Sequence, residues 1–62
     1  MKLTRLAKRM EKMKLSPEIL ADKSNGDFSN MTVRRAIGGN SIDRLKAKAI
    51  ARVLRIKLEE LA

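Results

Sequence analysis

The chain has 62 residues, 44% of them hydrophobic and only one of them aromatic, with 15 Lys and Arg against 7 Asp and Glu for a net charge of +8. That length holds one domain and not two. Without any Cys or His there can be no disulfide framework, Cys/His zinc site, thiol nucleophile or Ser-His-Asp triad, and Phe28 alone cannot supply the stacking platforms of RRM- or OB-type nucleic-acid modules.

Leu3, Leu6, Ala7, Met10 and Met13 recur at helical spacing and predict an amphipathic first helix, with Arg5, Lys8, Arg9, Glu11 and Lys12 on its other face. The methionines on the apolar side read as core filling. The second helix has a clear start. Ser16 is placed to be its N-cap, and Pro17 takes the first helical position, where a missing N–H costs nothing. Glu18 suits the positive end of the helix dipole, and Leu15 and Leu20 stand at the spacing of a hydrophobic staple. This helix is expected to run from Pro17 to Lys23 or Ser24 and to stop at Asn25-Gly26, a pair tolerant of positive φ.

The third helix repeats that grammar, with Phe28 before the cap Ser29 and Val33 at the fourth position as a second staple. Val33, Ala36 and Ile37 are expected to face inward, Asn30, Met31, Arg34 and Arg35 outward, and Gly38-Gly39 ends the segment. A fourth helix starts near Ser41 or Asp43, and Leu45, Ala49, Ile50, Val53 and Leu54 are expected to mark its apolar face. Beyond Leu54 two courses are open. Leu58 and Leu61 could continue one long helix, or the chain could break near Arg55 and form a short fifth helix with Ile56 turned into the core. No period-two alternation supports a strand. The expected fold class is all-α, a compact domain of four to five helices.

Charge is spread along the chain. Residues 1–14 hold six basic groups against Glu11, and residues 43–58 hold six against Asp43. This points to a folded domain with a basic face, and such faces meet nucleic acid or anionic membranes; Lys-rich helices can also simply be soluble. The longest apolar runs are too short for a membrane span, and the first residues lack the apolar stretch of a signal peptide, so a cytoplasmic protein is expected.

Two short capped helices in succession, Pro17–Ser24 and Asn30–Ile37, make a helix-turn-helix candidate. The outer edge of the second carries an amide, a thioether and two guanidiniums, with Asn30 above Arg34 and Met31 above Arg35. Asn can form two parallel bonds to adenine, Arg two to guanine, and Met can lie against a thymine methyl. Ser29 and the free N–H groups of the helix start can hold a phosphate. Each feature also has a plain structural use, as cap, stop signal or solvated surface. It is their arrangement on the second of two adjacent helices that suggests DNA reading.

In this arrangement the residues resemble the lambda-repressor-like helix-turn-helix family, of the Cro and xenobiotic-response-element type. Ser16, Leu20, Ala21 and Ser24 match its first helix, Phe28, Ser29, Thr32 and Val33 its second, and Ile50, Ala51, Leu54, Ile56 and Leu61 its later I-A-x-x-L-x-V-x-x-x-x-L pattern. The turn at Asn25-Gly26-Asp27 is longer than the family's usual one, Arg55 stands where Gly or Asn is common, and Ala36-Ile37 replaces an apolar-acid ending. The resemblance implies a compact domain that binds double-stranded operator DNA as a homodimer. It implies base contacts from Ser29, Asn30, Met31, Arg34 and Arg35, with Arg34 near base or phosphate. Phosphate contacts would come from Ser16 and Pro17 and from Asn40, Ser41 and Arg44, with Lys46 or Lys48 adding charge. Dimer contacts would come from Ile56, Leu58 and Leu61, all three of which could equally be core.

The function expected is a phage or mobile-element repressor that reads a palindromic operator, with no cofactor, metal or small-molecule substrate. A protein-interaction module such as an antitoxin or antirepressor is the alternative, and a membrane-active basic peptide is disfavoured by the several capped helices. Enzymatic chemistry is not expected. Glu59 and Glu60 are adjacent and point to different helix faces, Asp22 and Asp27 lack a third acidic ligand, and Gly38-Gly39-Asn40 is not a phosphate loop.

Overall fold

The computed structural model describes residues 1–62, and its regular elements are all helical: α1 spans Leu6–Met13, α2 Pro17–Lys23, α3 Asn30–Ile37 and α4 Arg44–Leu54, followed by a single 3-10 turn at Leu58–Glu60. The starts of α2 and α3 follow from local chemistry. At the start of α2 the Ile19 N–H donates to Ser16 Oγ at 3.2 Å, with Pro17 in the first turn. At the start of α3 the Thr32 N–H donates to Ser29 Oγ at 3.4 Å. Both are side-chain caps for N–H groups that the helix itself leaves unpaired. Lys14 ends α1 in the left-handed region at φ 57°, where the Leu15 N–H reaches back to the Met10 carbonyl at 2.9 Å. Arg55 ends α4 in the same way at φ 59°, with the Ile56 N–H on the Ala51 carbonyl at 3.1 Å. The chain therefore breaks at Arg55. Of the two courses open in the sequence the second is the one taken, although the final element is one 3-10 turn.

Twelve buried apolar residues form one core: Leu3, Leu6 and Met10 from the first segment, Leu20, Phe28, Val33 and Ala36 from the middle, and Ala47, Ile50, Ala51, Leu54 and Leu61 from the end. Leu3 reaches the core from the turn before α1, and the Arg5 N–H donates to the Leu61 carbonyl at 2.9 Å, which closes the C-terminal turn onto the start of that helix. Segment 40–43 is pinned by the Ile42 N–H to the Met1 carbonyl at 2.8 Å. The whole measures 23 × 21 × 20 Å.

Four residues expected on apolar faces point elsewhere. Leu45 is 81% exposed. Successive helical residues turn by about 100°, so Leu45 and Leu54 stand on opposite sides of α4, and the inward row is Ala47, Ile50, Ala51 and Leu54. Ala49 and Val53 are half-buried at its margins. Ala7 is exposed, on the flank of the buried pair Leu6 and Met10. Met13 is exposed as the last residue of α1, and Ile37 is exposed as the last of α3. At both ends the apolar period of the sequence runs on past the last buried row.

Candidate nucleic-acid interface

α2 and α3 pack directly against each other and are joined through residues 24–29. That turn is closed by Ser24, the one buried polar side chain. Its hydroxyl donates to the Ala21 carbonyl at 2.6 Å and accepts from the Phe28 N–H at 3.4 Å. Asn25 at φ 56° and Gly26 at φ 93° reverse the chain between these contacts, and no atom lies near the position a Gly26 side chain would take. Glycine is favoured at 26 for conformation and not for space. With Phe28 and Val33 buried, α3 is fixed by its inner face and its other side is turned to solvent.

On that outer side Met31 is 58% exposed, and Ser29, Arg34 and Arg35 are exposed as well, whereas Asn30 is half-buried at the first turn. The two arginines have different surroundings. Arg34 Nη2 forms an ion pair with Glu18 Oε1, across the gap from α3 to the first turn of α2. The backbone N–H at the helix start, and then Arg34, hold the Glu18 carboxyl below the usual carboxylate range. Arg35 has no acidic partner in ion-pair distance. It lines a cleft of about 150 Å³ with Thr32, Ser41, Ile42, Asp43 and Lys46 at the start of α4. The end of α3 and the start of α4 thus present two cations and two hydroxyls together, with Asp43 as the one acid among them.

Among the residues assigned to phosphate, Ser16 and Pro17 are half-buried, and the Ser16 oxygen already accepts from the Ile19 N–H. Asn40, Ser41 and Arg44 are exposed, and Ser41 Oγ accepts from the Met1 amino group. Ser41 is brought beside Arg35 and Lys46, while Ser16 and Pro17 belong to the other end of the pair, next to Glu18. The residues assigned to dimer contacts need one correction. Leu61 is 0% exposed and belongs to the chain's own core, because the C-terminal turn folds it back beneath α1. Ile56 and Leu58 are half-buried and pack against that core, so only their outer atoms are open to a partner.

Two contributors were not singled out from sequence. Glu18 was assigned only to the helix dipole, and its pairing with Arg34 crosses sixteen positions with no periodic signal to mark it. Ser24 reads from the sequence only as a possible helix end and a match to the family's first helix, and its role as the turn clamp depends on the fold of the loop. Comparison with known proteins adds no further constraint, since no family model, curated protein or solved structure matches the chain.

Proposed function

We propose that this chain is a lambda-repressor-like helix-turn-helix domain that binds double-stranded DNA sequence-specifically, as a transcriptional regulator of phage or mobile-element type. The observation that carries this is the outer edge of α3. Met31, Arg34 and Arg35 are exposed on a helix whose inner face is buried and whose preceding turn is clamped. An exposed edge with Arg35 free, Arg34 paired only at the margin and no acid within α3 itself suits major-groove reading. In this account Asn30, Met31 and Arg35 meet base edges and Ser29 meets a phosphate at the helix start. Asn40, Ser41 and Arg44, with Lys46, follow the sugar-phosphate backbone past the end of α3. Arg34 is held at the margin by Glu18 and acts on the groove only to the extent that this pair opens. A homodimer would span two half-sites about 34 Å apart, one helical turn of the duplex.

Selection of bound sequences from a random duplex pool at about 0.15 M salt tests this. A palindromic motif is the expected result, and a pool that stays random through every round rejects the proposal. With a motif in hand, Arg35→Ala should cost about 1–3 kcal/mol at one base pair and relax its choice there. An equal loss on motif and random duplex would move Arg35 from base to phosphate.

A further inference from the structure

α1 carries a second cationic surface that the function above leaves unused. Arg5, Lys8, Arg9 and Lys12 stand at i, i+3, i+4 and i+7, on the side of the helix turned away from Leu6 and Met10. They line a shallow groove of about 300 Å³ together with Glu60 and no apolar side chain. Only Arg9 is partnered, by Glu60 at 3.6 Å; Arg5, Lys8 and Lys12 have no acid in ion-pair distance. The ledge has a fixed seat, because the Arg5 N–H is bonded to the Leu61 carbonyl and Glu60 in turn accepts from the Lys57 N–H at 2.9 Å.

We propose that this ledge binds the phosphate backbone of a second duplex, so that one protomer bridges two DNA segments. From Arg5 to Lys12 the row rises about 10.5 Å, against one phosphate charge per about 3.4 Å of axis along each strand. Three free cations over that length, in steps of about 4.5 and 6 Å, face a run of about four phosphates on one strand, and the flexible Lys and Arg side chains span the difference in spacing. The absence of any apolar residue in the groove argues against a protein partner, which needs a buried anchor, and against insertion into a lipid surface. Although α1 and α3 are in contact, the ledge lines a cleft separate from that of the α3 edge. It borders the C-terminal turn, whereas α3 borders the first turn of α2 through Glu18 and the start of α4 through Ser41 and Lys46. None of the four surface clefts contains residues of both surfaces. The bridging rests on the reading of α3 as a duplex-binding edge; the affinity of the ledge for phosphate does not.

The test uses the full chain on an immobilised duplex, with capture of a second, fluorescent duplex as the readout. Lys8→Gln/Lys12→Gln should lower that capture at least about tenfold while binding to the first duplex stays within about twofold, and the salt dependence of capture should flatten by about two counterions. Lys8→Arg/Lys12→Arg, which keeps the charge, should restore capture. Capture unchanged in the Gln variant, alongside loss of first-duplex binding in Arg35→Ala, overturns the ledge and leaves α3 standing. Loss of all duplex binding in the Gln variant and none in Arg35→Ala overturns the α3 reading and the bridging with it. Preferential binding of the wild type to anionic phosphatidylserine vesicles over duplex, dependent on the same two lysines, assigns the ledge to lipid and overturns the proposal.

Discussion

The α2–α3 pair and the stretch from α4 to the C-terminus are stopped and started by different means. In the pair, both helices begin on a serine whose side chain caps a backbone N–H, and the turn between them is held by Ser24 and relieved by Gly26. In the second stretch, Asp43 starts α4 without a side-chain cap bond, and Arg55 ends it in a left-handed conformation that glycine would favour. The pair is shaped by local chemistry. The C-terminal stretch has one local cap, the Glu60 carboxylate on the Lys57 N–H, and is otherwise shaped by the core, above all by Leu54 and Leu61, which are buried on either side of the break. Elements of the first kind keep their ends when a distant contact is lost, and elements of the second kind should not.

The largest expected effect tests that distinction directly. Leu61→Ala removes a wholly buried side chain that closes the C-terminal turn onto α1, and should cost about 2–5 kcal/mol. Leu45→Ala, on the same side of the sequence but outside the core, should stay within about 0.5 kcal/mol. Chemical denaturation of both variants measures the difference. Equal costs would mean that the apolar period of the sequence, and not the inward row seen here, describes α4.

Next in size is the turn clamp. Ser24→Ala leaves the buried Phe28 N–H without its acceptor and should destabilise by about 1–3 kcal/mol. The caps follow. Ser16→Ala and Ser29→Ala should each cost about 1 kcal/mol, whereas Asp43→Ala, which loses no cap bond, should cost only a few tenths. A cost at Asp43 as large as at the serines would remove the contrast between the two regions.

These variants also mark what could be read from the chain itself. Ser16, Pro17, Ser29 and Asn25-Gly26 are signals contained within a few residues, and the helices they delimit were legible to within a residue or two. The course of residues 55–62 was not. Arg55 carries no turn chemistry, and the break there leads into Ile56, half-buried against the core, and Leu61, wholly buried in it, contacts that no local pattern marks. Leu45 misled for a related reason, since spacing identifies a face only when its members stay within one sector of the helix, and those assigned to α4 spanned half a turn. The outer edge of α3 was legible as a set of side chains. Its electrostatic state was not, because the acid that meets Arg34 comes from another helix.

Arg55→Gly offers a smaller and opposite effect. The left-handed region costs a non-glycine residue about 1–2 kcal/mol, and glycine's greater freedom in the unfolded chain takes back about 0.5–1. A net gain of roughly 0.5 kcal/mol is expected from those two figures, visible as a small rise in Tm. Gly26→Ala runs the other way at the turn of the pair, and the same two figures give a net cost of roughly 0.5–1 kcal/mol. A loss at Arg55→Gly would show that the Arg55 side chain, and not the core beyond it, sets the break.

The smallest effect lies at the seam between α2 and α3. Glu18 is held below the usual carboxylate range by the backbone N–H at the start of α2 and by Arg34, so between that usual range and its lowered value the unfolded chain binds the proton and the folded one does not. Its contribution to stability is therefore present above the usual carboxylate range and is lost as pH falls through the lowered value. The pair is solvent-exposed, so the effect should be slight and should fade with salt. Glu18→Gln should make the Tm of the protein less sensitive to acid over that window, with its difference from wild type largest near neutral pH and gone in strong acid. The same variant frees Arg34 from α2. If Glu18 keeps that guanidinium out of the groove, Glu18→Gln should raise affinity for duplex of any sequence and steepen its salt dependence, while the ranking of sites is kept. If Arg34 reads a base from its paired position, Glu18→Gln should instead blur the ranking. The two outcomes separate a restraint on Arg34 from a support for it.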